Sequence, residues 1–219
     1  MRINRYIALS TGLSRRAADL TIEAGRVTVN GLAPLAGQQI GPSDAVTLDS
    51  TTITPPINTV TILLNKPVGY VCSRDGQGSK TVYDLLPTEL HNLKPVGRLD
   101  KDSSGLLLMT NEGKLAHELS HPSFQKEKVY DVTLDKQLKP VDKAKIETGV
   151  LLEDGMSKLQ LKRMVVAKDI SYEVRMHEGR NRQIRRTFEK LNYKVTKLLR
   201  TQFGTYKLGS IQSGKYKLS

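Results

Sequence analysis

Two carboxylates and a cluster of arginines are the groups in this chain best placed to do chemistry. Asp100 and Asp102 lie in a polar, glycine-bounded loop, Gly97-Arg98-Leu99-Asp100-Lys101-Asp102-Ser103-Ser104-Gly105, which runs into the apolar stretch Leu106 to Thr110. A loop exposes a side chain and the following strand holds it rigid, so an ionised carboxylate here can serve as nucleophile or general base. The same position also suits a turn or capping aspartate, and location alone does not choose between the roles. Downstream, Glu178-Gly179-Arg180-Asn181-Arg182-Gln183-Ile184-Arg185-Arg186 supplies a dense set of guanidinium groups. Such groups pair with carboxylates or with phosphates.

Charge narrows the partner. The formal net charge is +12, and from Arg175 to Lys217 there are twelve Lys or Arg residues against only Glu178 and Glu189. Tyr193, Phe203, Tyr206 and Tyr216 interrupt that segment. Cations that neutralise phosphates, interleaved with rings able to stack on bases, point to nucleic acid rather than to an acidic membrane surface. A solvated basic face with core aromatics is the competing explanation.

Composition removes several function classes. An apolar fraction of 38% and a charged fraction of 26% in 219 residues describe a folding chain with room for one large core and a small appended module. Cys72 is the only cysteine, so intrachain disulfides and zinc sites that rely on two or more thiolates are excluded. His91, His117, His121 and His177 show no metal-ligand spacing, and no metal is expected. The chain carries no 18-residue apolar stretch and no signal-peptide pattern, so a cytoplasmic protein without membrane partners is expected.

The elements that must position the loop and the arginines are readable in outline. Ile3, Tyr6 and Ile7 recur at helical spacing, and residues 14 to 24 place Ala17, Leu20, Thr21 and Ala24 along one face of a second helix. Ser14 suits its N-cap and Gly25 a left-handed C-cap, after which Arg26 to Gly31 reads as a strand entering an Asn-Gly turn. Residues 49 to 58 have the Thr- and Pro-rich composition of a linker between a small unit at 1 to 48 and a large one at 59 to 219. In the large unit, Val60 to Leu64 and Leu106 to Thr110 read as buried strands. Lys114 to Ser120 reads as a helix. The alternations about Tyr130-Val132-Leu134 and Ile170-Tyr172-Val174-Met176 read as half-buried strands, and Ile184, Phe188 and Leu191 mark a helix. Mixed elements without βαβ repetition imply an α+β fold on a mixed, largely antiparallel sheet.

Two stretches resemble known families. Ser14 to Gly31, SRRAADLTIEAGRVTVNG, is similar to the signature of the RNA-binding module named after ribosomal small-subunit protein S-four. The resemblance implies that Arg2, Arg5, Arg15, Arg16 and Arg26 face RNA. Arg15 and Arg16 begin a helix whose dipole they oppose, which fits an anionic partner. Across residues 60 to 200, LLNKPVGYVCS, GRLDKDSSGLLLMTNEG, EKVYDVTL and EGRNRQIRR resemble, in order, four motifs of the ribosomal branch of the pseudouridine synthases. Thr187 departs from that pattern, which commonly has Met there.

The resemblance implies Asp100 as the catalytic carboxylate, Tyr130 as the active-site tyrosine and Arg185 as the active-site arginine. A carboxylate in a dry pocket needs a cation to stay ionised, which Arg185 can supply, the competing role being a phosphate contact. It further implies that Arg98 contacts RNA and helps hold an extruded uridine. Arg180, Arg182, Arg186 and Arg200 are expected among the RNA contacts. The isomerisation exchanges a bond from ribose to ring nitrogen for one to ring carbon five with no redox change, so no cofactor is expected. The expected partner is ribosomal RNA or a pre-ribosomal particle, met by a monomer. HPSFQKEKVY leans toward the large-subunit branch. The alternative reading is a ribosome assembly factor that binds rRNA without turnover.

Overall fold

A computed structural model describes residues 1–55, 58–165 and 170–219. Contacts divide the chain into two units, Met1–Val60 with Pro87–Lys94, and Thr61–Leu86 with Pro95–Ser219.

In the smaller unit, helix α1 (Ile3–Thr11) and helix α2 (Arg15–Glu23) pack on strands β1 (Val27–Val29), β2 (Val46–Leu48) and β3 (Thr51–Thr52), joined as an antiparallel sheet in that order. The Ser14 side chain accepts a hydrogen bond from the Ala17 amide at 3.0 Å and starts α2. Gly25 adopts φ +70° just past its end. Asn30 and Gly31 both take positive φ, and Val29 and Leu32 exchange their backbone hydrogen bonds, which is a two-residue hairpin turn. The buried face of α2 is Ala18 and Thr21, with Ile22 packed against the core; of the face expected through Ala17, Leu20, Thr21 and Ala24, Thr21 is buried as expected but Leu20 is 65% exposed, so the face is rotated by about one residue. Ile3, Tyr6 and Ile7 do fill that core, against Val27, Val29, Ile40 and Val46. Within the stretch read as a linker, Thr51–Thr52 form β3 and Ile53 packs on the core, whereas Pro56 and Ile57 lie outside the described residues.

The larger unit carries strands β4 (Thr61–Lys66), β5 (Lys94–Pro95, shared with the end of the smaller unit), β6 (Ser104–Thr110), β7 (Lys128–Leu134), β8 (Val150–Leu152), β9 (Gly155–Ser157), β10 (Gln160–Val165), β11 (Ile170–Met176), β12 (Val195–Phe203), β13 (Tyr206–Lys207) and β14 (Tyr216–Leu218). Its helices are α3 (Gly113–Ser120), α4 (Pro140–Thr148) and α5 (Gln183–Glu189). The main sheet runs β10-β11-β7-β12-β6-β4-β14, with β13 on β12 and β8-β9 as a separate hairpin. The β12–β6 pairing is parallel and the other registered pairs along this path are antiparallel, so the sheet is mixed and largely antiparallel, as expected. Both apolar runs became strands: β4 and β6 pair over six residue positions, and Ile62, Leu64, Leu106, Leu107 and Leu108 are completely buried.

The sheet puts the chemistry-bearing loop at its centre. Residues 97–103 lead directly into β6, beside the C-terminal half of β12. Gly105 has φ +104°, and a Cβ there would collide with the backbone nitrogen and oxygen of Arg200. Glycine is required because the two parallel strands approach closely at that point. Strand β12 carries the middle of the basic segment and pairs with both β6 and β7.

Candidate active site

A cleft of about 870 Å³ opens in the larger unit. Its wall includes the loop Gly97–Asp100, Tyr130 of β7, Arg200 of β12 and the arginine-rich turn from Arg180 to Arg185. The aspartate loop and the arginine-rich turn, 80 residues apart in sequence, therefore share one cavity.

The Asp100 loop is fastened from beneath by Lys66, the last residue of β4. Its ammonium group is completely buried and donates to the backbone oxygens of Pro67 at 3.0 Å, Asp100 at 3.0 Å and Ser103 at 2.7 Å. Burial pulls the Lys66 pKa down, with the charges of Asp100 and Asp102 among those opposing the fall. The Ser103 amide closes the turn onto the Asp100 carbonyl at 3.1 Å. With its carbonyl held by two donors, the Lys66 ammonium and the Ser103 amide, Asp100 projects a side chain that is 37% exposed. Sequence reasoning missed Lys66, because an Asn-Lys-Pro sequence at a strand end reads as a solvated turn.

The two loop carboxylates have different surroundings. Arg182 grips Asp102 with two hydrogen bonds of 3.0 Å each, and Arg185 adds its Nε at 3.3 Å from Asp102 Oδ2. Arg185 also donates to the Asp102 carbonyl at 2.8 Å and to the Val195 carbonyl at 2.9 Å. Arg185 thus pairs with Asp102; the cation nearest the Asp100 carboxylate is Arg182, at 3.8 Å. This corrects the expectation that Arg185 is the direct partner of Asp100. The turn at Ser103 faces the second aspartate toward α5 and leaves the first toward the cleft. Burial raises the Asp102 pKa, but the Arg182 hydrogen bonds and the charges of Arg185 and Arg182 outweigh it and leave the group below the usual carboxylate range. Burial likewise lowers Arg185, which Asp102 opposes.

A depressed folded-state pKa means that the Asp102 contribution to stability is present above the unfolded value of about 3.9 and is lost as pH falls through the lower folded value. A carbon-13 NMR titration of the Asp102 carboxyl is expected to give a midpoint below about 3.9. A midpoint above it would mean that the arginine cluster does not form.

The remaining expected site residues separate into those that face the cleft and those that do not. Tyr130 is 7% exposed and lines the cleft, with no hydrogen bond from its hydroxyl among the described residues. Arg98 is exposed at the cleft wall. Arg200 is 2% exposed and also lines it. Arg180 lines the cleft too, but is held by Asp154 at 3.0 Å, by Glu178 at 3.0 Å and by the Met156 carbonyl at 2.8 Å. Arg186 lies outside the cleft lining and pairs with Asp154 at 2.6 Å, which makes it a brace for the β8-β9 hairpin. In the smaller unit, Arg26 is paired with Asp49 and Arg15 donates to Asn4 at 3.3 Å, while Arg2, Arg5 and Arg16 are exposed.

Behind the arginines lies a buried polar network that sequence reading did not find. Gln183 is 2% exposed, donates to Ser157 at 3.1 Å and to Glu178 at 3.0 Å, and accepts from the Arg180 amide at 3.2 Å. Thr187 bonds Ser157 at 2.8 Å, so this departure from the family pattern falls in the packing behind the arginines.

Comparison with known proteins decides the family. Residues 60–190 match the model of the RNA pseudouridylate synthase family. The chain belongs to the RNA pseudouridylate synthases. It is therefore an isomerase that acts on RNA. Among curated members of the family, the ribosomal large subunit pseudouridine synthase B of Bacillus subtilis (strain 168) is 35% identical over 220 residues, covering 97% of this chain and 89% of that protein. The dual-specificity RNA pseudouridine synthase RluF of Escherichia coli (strain K12) is 34% identical over 220 residues, covering 99% of this chain and 74% of that protein. A crystal structure of a pseudouridylate synthase superposes with a TM-score of 0.71 at 30% identity, covering 100% of this chain and 96% of the other. The matched region contains the cleft residues Asp100, Tyr130, Arg182 and Arg185.

Proposed function

We propose that this pseudouridine synthase isomerises a uridine of large-subunit ribosomal RNA, with the target nucleotide turned out of its helix into the cleft and Asp100 as the attacking carboxylate. The observation that carries the reading is the contrast between the loop aspartates. Asp102 is locked into a two-arginine cluster, whereas Asp100 lines a cleft with room for a nucleotide, is 37% exposed and lies 3.8 Å from a guanidinium group. Arg182 at that distance leaves the Asp100 oxygens free of hydrogen bonds from the arginine cluster and open to a substrate, as a nucleophile or base requires.

Three openings are available to that carboxylate: attack on ribose C1′, addition to ring C6, or removal of the C2′ proton. Each ends with the N1–C1′ bond broken, the C5–C1′ bond made and the C5 hydrogen lost as a proton, so no atom is gained or lost by the RNA overall apart from proton exchange with water. Tyr130 presents its ring to the uracil and its free hydroxyl to the departing C5 proton. Turning a base out of a helix costs a few kcal/mol, and stacking on one aromatic returns about 1–3 kcal/mol. Phosphate contacts supply the rest, from Arg98 at the cleft and from Arg2, Arg5, Arg15 and Arg16 of an S-four-like RNA-binding unit.

RNA affinity is expected to depend steeply on salt. Contacts to six or more phosphates lower it by about 10³-fold or more between roughly 50 and 200 mM salt. Filter binding across that range checks it, and a flat response would remove the phosphate contacts from the account. The function itself is tested by mapping pseudouridine in both ribosomal RNAs from cells with and without the gene. The expected result is loss of modification in the large-subunit RNA, restored by the intact gene; an unchanged map in both RNAs refutes it.

A further inference from the structure

Arg200, a cation in the cleft lining, has no ion pair among the described residues. Arg200 is 2% exposed; its Nε donates to the Leu106 carbonyl at 2.8 Å, and its Nη2 is buried with no hydrogen-bond partner. The Phe203 ring covers one side of the guanidinium, 4.9 Å from its central carbon. Two other cations lie near it: Lys66 and Lys128 both lose basicity to the field of Arg200, after burial as the larger cause. A buried guanidinium with an unsatisfied N–H, on a residue that lines the cleft and has two other cations near it, is unfavourable unless a ligand completes it.

Its position says which part of a ligand it meets. In the sheet Arg200 lies directly opposite Tyr130, and the close approach at Gly105 sets it against the end of the Asp100 loop. Arg98, at the same cleft, is exposed and suits the RNA backbone, whereas Arg200 is reachable only by the group that enters deepest.

We infer that Arg200 is a catalytic residue for the isomerisation proposed above, donating from Nη2 to a carbonyl oxygen of the inserted uracil. The chemistry requires such a donor whichever way Asp100 opens the reaction. Attack at C1′ or loss of the C2′ proton sends the N1–C1′ electron pair onto the base, delocalised over O2 and O4. Addition to C6 sends the ring π pair onto C5 and O4. In each case the uracil carries a negative charge that the ground state lacks, and a fixed donor in a water-poor site is worth most at that moment. The charge is released when C5 bonds to C1′ and its proton leaves.

The test combines protein and substrate changes and rests on the proposed activity being present. Single-turnover rates and RNA affinity are measured for the wild type, Arg200→Met and Arg200→Lys, on RNA carrying uridine, 2-thiouridine or 4-thiouridine at the target. Arg200→Met is expected to lower the rate by about 10²- to 10³-fold with little change in affinity. Sulfur is a poor acceptor, so thio-substitution at one of the two carbonyls slows the wild type and adds no further loss in the Met variant. Arg200→Lys, which keeps charge and bulk, gives the same cycle if the Met variant does not fold. Thio effects of equal size in wild type and variant overturn the inference. So does weakened binding at an unchanged rate, which would make Arg200 a phosphate contact. A wild type that converts no uridine defeats the proposed function instead.

Discussion

Asp100→Asn is expected to bind ribosomal RNA as tightly as the wild type and to convert it at least about 10⁴-fold more slowly, since removing the group that initiates a covalent sequence costs rates of that order. Asparagine preserves the shape of the side chain and removes only the charge and the nucleophilic oxygen. The carboxylate is 3.8 Å from Arg182, beyond hydrogen-bond distance, and the loop is held through its backbone by Lys66, so the variant keeps its fold. Single-turnover assays and filter binding on the same preparation separate the two effects. The companion change Asp102→Asn is expected to act differently, because Asp102 is the residue that the arginines grip. It loosens Arg182 and Arg185, lowering stability as well as rate.

Lys66→Met has the second largest expected effect. The variant removes three hydrogen bonds to the loop carbonyls of Pro67, Asp100 and Ser103. It also removes a charge that is expensive to bury, so loss and gain partly cancel in stability. The rate does not share that cancellation. A catalytic group displaced by about 1 Å costs about 10²-fold, and the loop that carries Asp100 has lost its fastening. A single-turnover rate reduced by about 10² with a urea midpoint close to wild type is the expected pair of results. A rate equal to wild type would show that the loop holds itself.

What could be read from sequence follows from how local each signal is. The Asn30-Gly31 turn, the Ser14 cap and the apolar runs of β4 and β6 depend on neighbouring residues, and each appears where the residues place it. The α2 face is only partly legible: Thr21 is buried as its spacing implies, but the small Ala18 is the other buried residue while Leu20, the large apolar one, is exposed. Strand β12 was read for its charge and not for its structure. Its buried positions Val195, Leu198, Arg200 and Phe203 do not alternate, since irregularities at Val195/Lys197 and Arg200/Gln202 shift the register.

The site was legible as a set of residues and illegible as a wiring diagram. Asp100, Tyr130 and Arg185 line one cleft, yet which aspartate meets which arginine depends on the curl at Ser103, and no spacing rule encodes that. Lys66 reaches carbonyls 34 and 37 residues away, a relation that exists only once the sheet has formed. Arg200 was recognisable as basic, but its burial and its unsatisfied N–H are properties of the strand packing at Gly105.

The most direct test uses purified protein and large-subunit ribosomal RNA whose uridines carry tritium at C5. Bond formation at that carbon expels the label into water, so release counts turnovers without any assumption about the opening step. The account predicts release that equals the pseudouridine formed at the modified position, from wild-type protein with no cofactor added, and none from Asp100→Asn. Release by the Asp100→Asn protein at the wild-type rate would contradict it.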